Sequence, residues 1–165
     1  MRRLALFLVA GLAACGPTPE EKAAADARDV AEVEAHQSPP PDKFVPEPIS
    51  FADVEAADMF GAGCSVLPKT ESADGIAIAV AQADAAYFKR KGELVRLSAD
   101  AGSKELPYLA RTHYDGLEYS MTLELDEDAG VQSGDETVDY PSVLTIKDAA
   151  DRAIFTDRGT TQCGA

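Results

Sequence analysis

The sequence has no tryptophan, two histidines and three cysteines in 165 residues, and its 29 acidic side chains outnumber 15 basic ones for a formal charge of −14. Each scarcity closes off a class of function. A chain this acidic repels phosphate and has few cations with which to release counterions, so nucleic acid is not expected as a partner. The acid pairs of a glycosidase would need a sugar cleft, and a Trp-free chain with 7% aromatic residues has little to wall one. His113 is the single histidine after residue 36, and one histidine does not make a zinc site. No Gly-rich phosphate loop, Gly-x-Ser-x-Gly elbow or His-Glu-x-x-His helix occurs. No internal repeat is visible, and no cofactor is implied.

The first fifteen residues, MRRLALFLVAGLAAC, place Arg2 and Arg3 before an apolar run that ends in small residues and a cysteine. The run is too short for a permanent membrane span, and a charged start with a small-residue end is the layout of an export signal. Leu12-Ala13-Ala14-Cys15 resembles the lipobox of bacterial lipoprotein precursors. That resemblance implies a signal peptide over residues 1–14, cleavage before Cys15 and acylation of the Cys15 sulfur. It also implies a protein held on the membrane by its lipid, with Gly16 favouring the outer membrane and the domain facing the periplasm or the cell surface. The other reading is an ordinary secretory peptide cut after Ala14. Loss of residues 1–14 takes two arginines and leaves 13 bases against 29 acids, a balance of −16.

Residues 15–49 read as a tether. From Gly16 to Ile49 there are seven of the ten prolines, with 8 acids against 3 bases. The stretch from Glu20 to His36 has helix-forming residues, but its apolar positions are mostly alanine and bury too little to hold a helix by packing. Pro39-Pro40-Pro41 is expected to run extended. A coil of this length reaches roughly 30 Å.

From Ser50 to Ala165 there are 116 residues, enough for one modest core. Their periodicity is two. Leu117, Tyr119, Met121, Leu123 and Leu125 alternate with Glu118, Ser120, Thr122 and Glu124, which predicts a half-buried antiparallel strand. Ile76 to Val80, Tyr87-Phe88 and Leu94 to Leu97 predict a three-stranded meander. A strand from Tyr108 to Tyr114 should enter a hairpin whose positive φ comes from Asp115-Gly116. Val143 to Ile146 and Ala153 to Thr156 flank a last turn at Asp148-Ala149-Ala150-Asp151. Ser98 to Pro107 and Glu127 to Pro141 read as loops. The expected fold is mainly all-β, a small antiparallel β-barrel or sandwich of six to eight short strands.

With Cys15 assigned to lipid, Cys64 and Cys163 form an even pair in an oxidising compartment and are expected to be disulfide-bonded. A reactive Cys64 with His113 as its base is the functional alternative, and it leaves Cys163 unexplained. Lys89, Arg90 and Lys91 form the only basic cluster after the tether and are the candidate partner-binding residues, reaching toward anionic lipid or peptidoglycan acids from a hairpin tip. The acidic run from Glu124 to Asp139 resembles a calcium loop in part, but Ala129 stands where such a loop needs glycine. No metal or catalytic residue is assigned. The expected function is non-enzymatic: a lipid-anchored envelope protein whose acidic β domain binds another envelope protein or peptidoglycan. The alternative is a protein like the lipoproteins that inhibit lysozyme, which share a small disulfide-closed barrel and an acidity suited to a basic enzyme.

Overall fold

The computed structural model describes residues 17–37, 40–69 and 76–165. The expected signal segment 1–14 and the expected lipidation site Cys15 lie outside the described residues. The chain divides into two units, Met1–Pro40 and Pro41–Ala165.

In the first unit, Pro19–Gln37 forms helix α1. Packing does not explain it, since Val30 and Val33 are exposed. Local chemistry does. Thr18 Oγ1 accepts from the Glu21 amide at 3.2 Å while the Glu21 carboxylate accepts from the Thr18 amide at 2.7 Å, a reciprocal cap ahead of a run of alanine and long charged residues. These bonds also hold the Glu21 carboxyl below its ordinary range. The expectation of a coil-like tether is therefore corrected for these nineteen residues: propensity and capping suffice where buried area is lacking. No described helix is long and apolar enough to cross a membrane.

The second unit is a closed eight-stranded antiparallel β-barrel with one further strand. In chain order the strands are β1 (Gly63–Leu67), β2 (Ala79–Ala81), β3 (Ala85–Arg90), β4 (Glu93–Ala99), β5 (His113–Asp115), β6 (Tyr119–Leu125), β7 (Val131–Gly134), β8 (Thr137–Asp148) and β9 (Ala153–Gly164). The sheet runs β6-β5-β4-β3-β2-β1-β9-β8-β7, and β6 also pairs with β8, which closes the barrel. β8 is long enough for two neighbours on one side: Ser142 to Asp148 pair with β6, and Thr137 to Asp139 pair with β7. β7 and the start of β8 thus form a hairpin that continues past the barrel wall.

Alternation puts Phe88, Leu97, Tyr114, Met121, Leu123, Leu144 and Ile146 inside, all fully buried. β3 is buried on both faces. Ala86 and Phe88 join the barrel core, and Ala85 and Tyr87 join a second cluster with Ile49, Met59 and Val80. A short helix, α2 (Phe51–Ala56), contributes Val54 to that outer cluster. It starts with a capping box in which the Ser50 amide donates to Asp53 Oδ2 at 2.8 Å and the Asp53 amide donates to Ser50 Oγ at 3.3 Å.

Several expectations change. The barrel unit begins at Pro41, not Ser50: the Phe44 amide donates to Ile154 O, the Glu47 amide to Lys89 O and the Ile49 amide to Ala77 O. Residues 41–49 act as a strap that supplies backbone partners where the short strands β1 and β2 leave none. The strand expected from Tyr108 is present only over His113–Asp115, because Pro107–Leu109 form a 3-10 turn and Tyr108 and Leu109 take φ of 55° and 66°. That turn carries Leu106 and Ala110 into the core. The β5–β6 turn is Leu117-Glu118, since Gly116 pairs with Tyr119, and Leu117 is fully exposed instead of core. Gly116 is required by space, not by positive φ: a Cβ there would meet Leu97 Cδ2 at 2.7 Å. Gly63–Leu67 and Thr137–Pro141, not foreseen as strands, belong to β1 and β8.

Candidate functional site

The two cysteines expected to pair do so. Cys64 on β1 lies directly opposite Cys163 on β9, and the sulfurs are bonded. Both residues are buried, so the bond is a core staple between neighbouring strands that are 99 residues apart in sequence. A nucleophilic Cys64 is corrected on this ground.

Lys89, Arg90 and Lys91 do sit at a hairpin tip, where Lys91 and Gly92 take φ of 53° and 79° and make the tight β3–β4 turn. The structure does not leave all three free for a partner. Lys89 Nζ donates to both Asp53 oxygens, at 2.9 and 2.8 Å. Arg90 bonds Asp42 at 2.5 Å and the Tyr119 hydroxyl, and its guanidinium lies 4.6 Å from the Phe44 ring centre. The Gly92 amide donates to the Glu47 carboxylate. Two of the three cations therefore bind the strap and α2 to the barrel. The reason is visible only in three dimensions: Asp42, Glu47 and Asp53 are at least 36 residues away from these partners. Hydrogen bonding from Lys89, then from Ser50, depresses the Asp53 carboxyl to about 2. Of the basic cluster, Lys91 remains at the turn as the outward cation.

His113 faces Thr122 and Asp115, with Nδ1 3.1 Å from Thr122 Oγ1 and Nε2 3.1 Å from Asp115 Oδ1. His113 and Thr122 are cross-strand neighbours, so the contact satisfies a half-exposed histidine on the sheet surface. The acidic run is dispersed. Glu124 is the penultimate residue of β6, Glu127 pairs with Lys104 at 2.8 Å, and Asp135 and Glu136 tip the β7–β8 hairpin. Asp139 accepts from Ser133 Oγ and Gln162 Nε2. Among the described residues no three His, Cys, Asp or Glu side chains gather as a metal site.

Tyr114 is wholly inside the barrel. Its hydroxyl accepts from the Arg111 amide at 2.6 Å and donates to Gln82 O at 2.8 Å, and burial raises it to about 12. Tyr108, Tyr119 and Tyr140 pack against the same core. The tyrosines thus serve the interior more than any binding face.

A cleft of about 810 Å³, which strand periodicity does not disclose, crosses the exits of β1 and β6 and the middle of β8 and β9. Lys69 follows β1, Arg158 lies on β9, Pro141 and Val143 lie on β8, and Glu124 and Asp126 lie at the end of β6. Register signals this grouping, because Val143 is paired with Glu124 on one side and Arg158 on the other. Residues 124–126 and 158 are far apart in sequence and have no motif in common.

Fold and staple together define a class, the small disulfide-closed antiparallel barrel with a filled interior. No protein-family model matches the chain, and no curated protein or solved structure matches it either.

Proposed function

We propose that this chain is a lipid-anchored cell-envelope lipoprotein that acts by binding, not by catalysis, with its acidic barrel held to the outer membrane through acylated Cys15. The observation that carries the reading is the Leu12-Ala13-Ala14-Cys15 sequence at the end of a short charged-then-apolar leader. The barrel supports it in a particular way. Its interior is occupied by its own side chains, so a partner would be met by the outer wall or by the β7–β8 hairpin, where Asp135 and Glu136 are exposed. An acidic surface steers a basic partner and makes its capture salt-dependent.

The test uses the whole chain, expressed in a bacterium and extracted in detergent. Mass spectrometry of the N-terminal peptide is expected to give a diacylated or triacylated Cys15. Capture from solubilised envelope, washed with a salt gradient, is expected to retain one component in stoichiometric yield. An unmodified N-terminus at Cys15 or at Met1 overturns the anchor, and saturable loss of lysozyme activity on adding the protein would favour the inhibitor reading over a scaffold role. Failure to retain any envelope protein or peptidoglycan fragment overturns the binding reading.

A further inference from the structure

We infer that the cleft across β6, β8, β9 and the exit of β1 is a binding site for a short zwitterionic peptide. Its free carboxylate would lie on the Lys69 and Arg158 side, and its free ammonium on the Glu124 and Asp126 side. This deepens the proposed envelope-binding role and rests on it for its biological setting.

Three observations carry the inference. First, the charges lining the cleft are sorted by wall; the Asp157 carboxylate, outside that lining, accepts from the Lys69 and Arg158 amides. The cationic side is built from β9 and the residue leaving β1, and the anionic side from the end of β6, with Val143 and Pro141 of β8 between them. Second, the walls do not neutralise each other. No salt bridge or side-chain hydrogen bond engages Lys69 Nζ, the Arg158 guanidinium, or the Glu124 and Asp126 carboxylates among the described residues. This contrasts with the hairpin tip, where the same residue types are engaged. Third, the separation suits a ligand. Glu124 and Arg158 flank Val143 in register, which puts them two strand spacings apart, about 9.5 Å. An extended peptide of three residues spans roughly 10 Å between its ends. A strip of this length with opposite charges at its ends and an apolar floor matches the two termini and the small side chains of such a peptide. The floor is rigid as well: beneath it Ser142 Oγ accepts from the buried Thr161 hydroxyl at 2.7 Å, and the Asp126 amide donates to Pro141 O at 2.9 Å.

The probe is trialanine, titrated into the isotopically labelled oxidised full chain and followed by amide NMR. Saturable shifts are expected at Glu124, Val143 and Arg158. N-acetyl-trialanine and trialanine amide should each bind roughly fivefold more weakly, as expected for one lost surface ion pair. Two variants assign the ends. Arg158→Gln should shrink the penalty for amidation, Lys69 remaining, and leave the penalty for acetylation, and Glu124→Gln combined with Asp126→Asn should abolish the penalty for acetylation and leave that for amidation. All three positions are exposed, and an intact Cys64 to Cys163 bond and unchanged melting would certify the fold of each variant. Absence of saturable shifts at tens of millimolar peptide overturns the inference. So does equal binding of the end-blocked peptides. If Arg158→Gln still captures its envelope component at full yield while trialanine fails to bind, the cleft assignment falls and the envelope-binding reading stands.

Discussion

At the residue scale, single atoms decide whether the barrel interior tolerates a polar group. Tyr114 is fully buried, yet its hydroxyl both accepts and donates a hydrogen bond, so little is lost by enclosing it. Tyr114→Phe leaves the Arg111 amide and Gln82 carbonyl without that partner and should cost about 1–3 kcal/mol in urea unfolding. The same residue predicts an alkaline limit. Its folded value of about 12 lies above the ordinary value near 10, so its contribution is complete below pH ~10 and lost as pH rises toward ~12. Absorbance at 295 nm should therefore show one tyrosine ionising only as pH approaches ~12. Asp53 works in the opposite sense. Its carboxyl is held down to about 2 by Lys89 and then Ser50, so its contribution is complete above the unfolded value near 3.9 and lost as pH falls toward ~2. Asp53→Asn should remove that part of the acid dependence, measured as melting temperature against pH, with little change in how stability varies above pH ~5.

At the element scale, the readable strands were those with one wet face and one dry face. β6 alternates, so Met121 and Leu123 could be placed inside from the sequence, and the β8–β9 turn at Asp148-Ala149-Ala150-Asp151 is where the pattern put it. Asp148 explains why that turn is stable: its oxygens accept from the Ala150 and Arg152 amides and from Arg152 Nε, and the Arg152 side chain keeps its carboxyl below the ordinary range. The unreadable elements had no alternation to follow. β7 is exposed throughout, the start of β8 has no buried residue before Ser142, and Tyr108 and Leu109 take left-handed angles that composition does not announce. The β3–β4 turn depends on glycine at Gly92, whose φ is 79°. Gly92→Ala should cost about 1–2 kcal/mol in equilibrium unfolding through backbone strain, because the space around it is open.

At the scale of the whole molecule, the strap and the disulfide bind distant parts of the chain. Phe44 stacks near Phe88 and Phe155 at centroid distances of 5.7 and 6.3 Å, and Ile49 is 5% exposed. A chain beginning at Ser50 loses these side chains and the Asp42 and Glu47 bonds, and should be at least 3 kcal/mol less stable than one beginning at Pro41, roughly the cost of deleting one large core side chain. Side-by-side denaturation of the two truncations checks it. Replacing both Cys64 and Cys163 with serine opens a loop of 99 residues and should lower stability by about 4–5 kcal/mol on the chain-entropy estimate, read from urea midpoints against the oxidised parent.

Fold class and the pairing of Cys64 with Cys163 were legible from residue order alone. Period-two patterning and cysteine parity are local or countable properties, and they survive without knowledge of neighbours. The candidate cleft and the fate of the basic cluster were decided by tertiary structure alone. Closure of β6 onto β8 brings Glu124 and Arg158 to the two sides of Val143, and the strap delivers Asp42 and Glu47 to the β3–β4 tip. Strand order and register set which side chains become neighbours across a sheet, and neither is written in the spacing of residues along one strand.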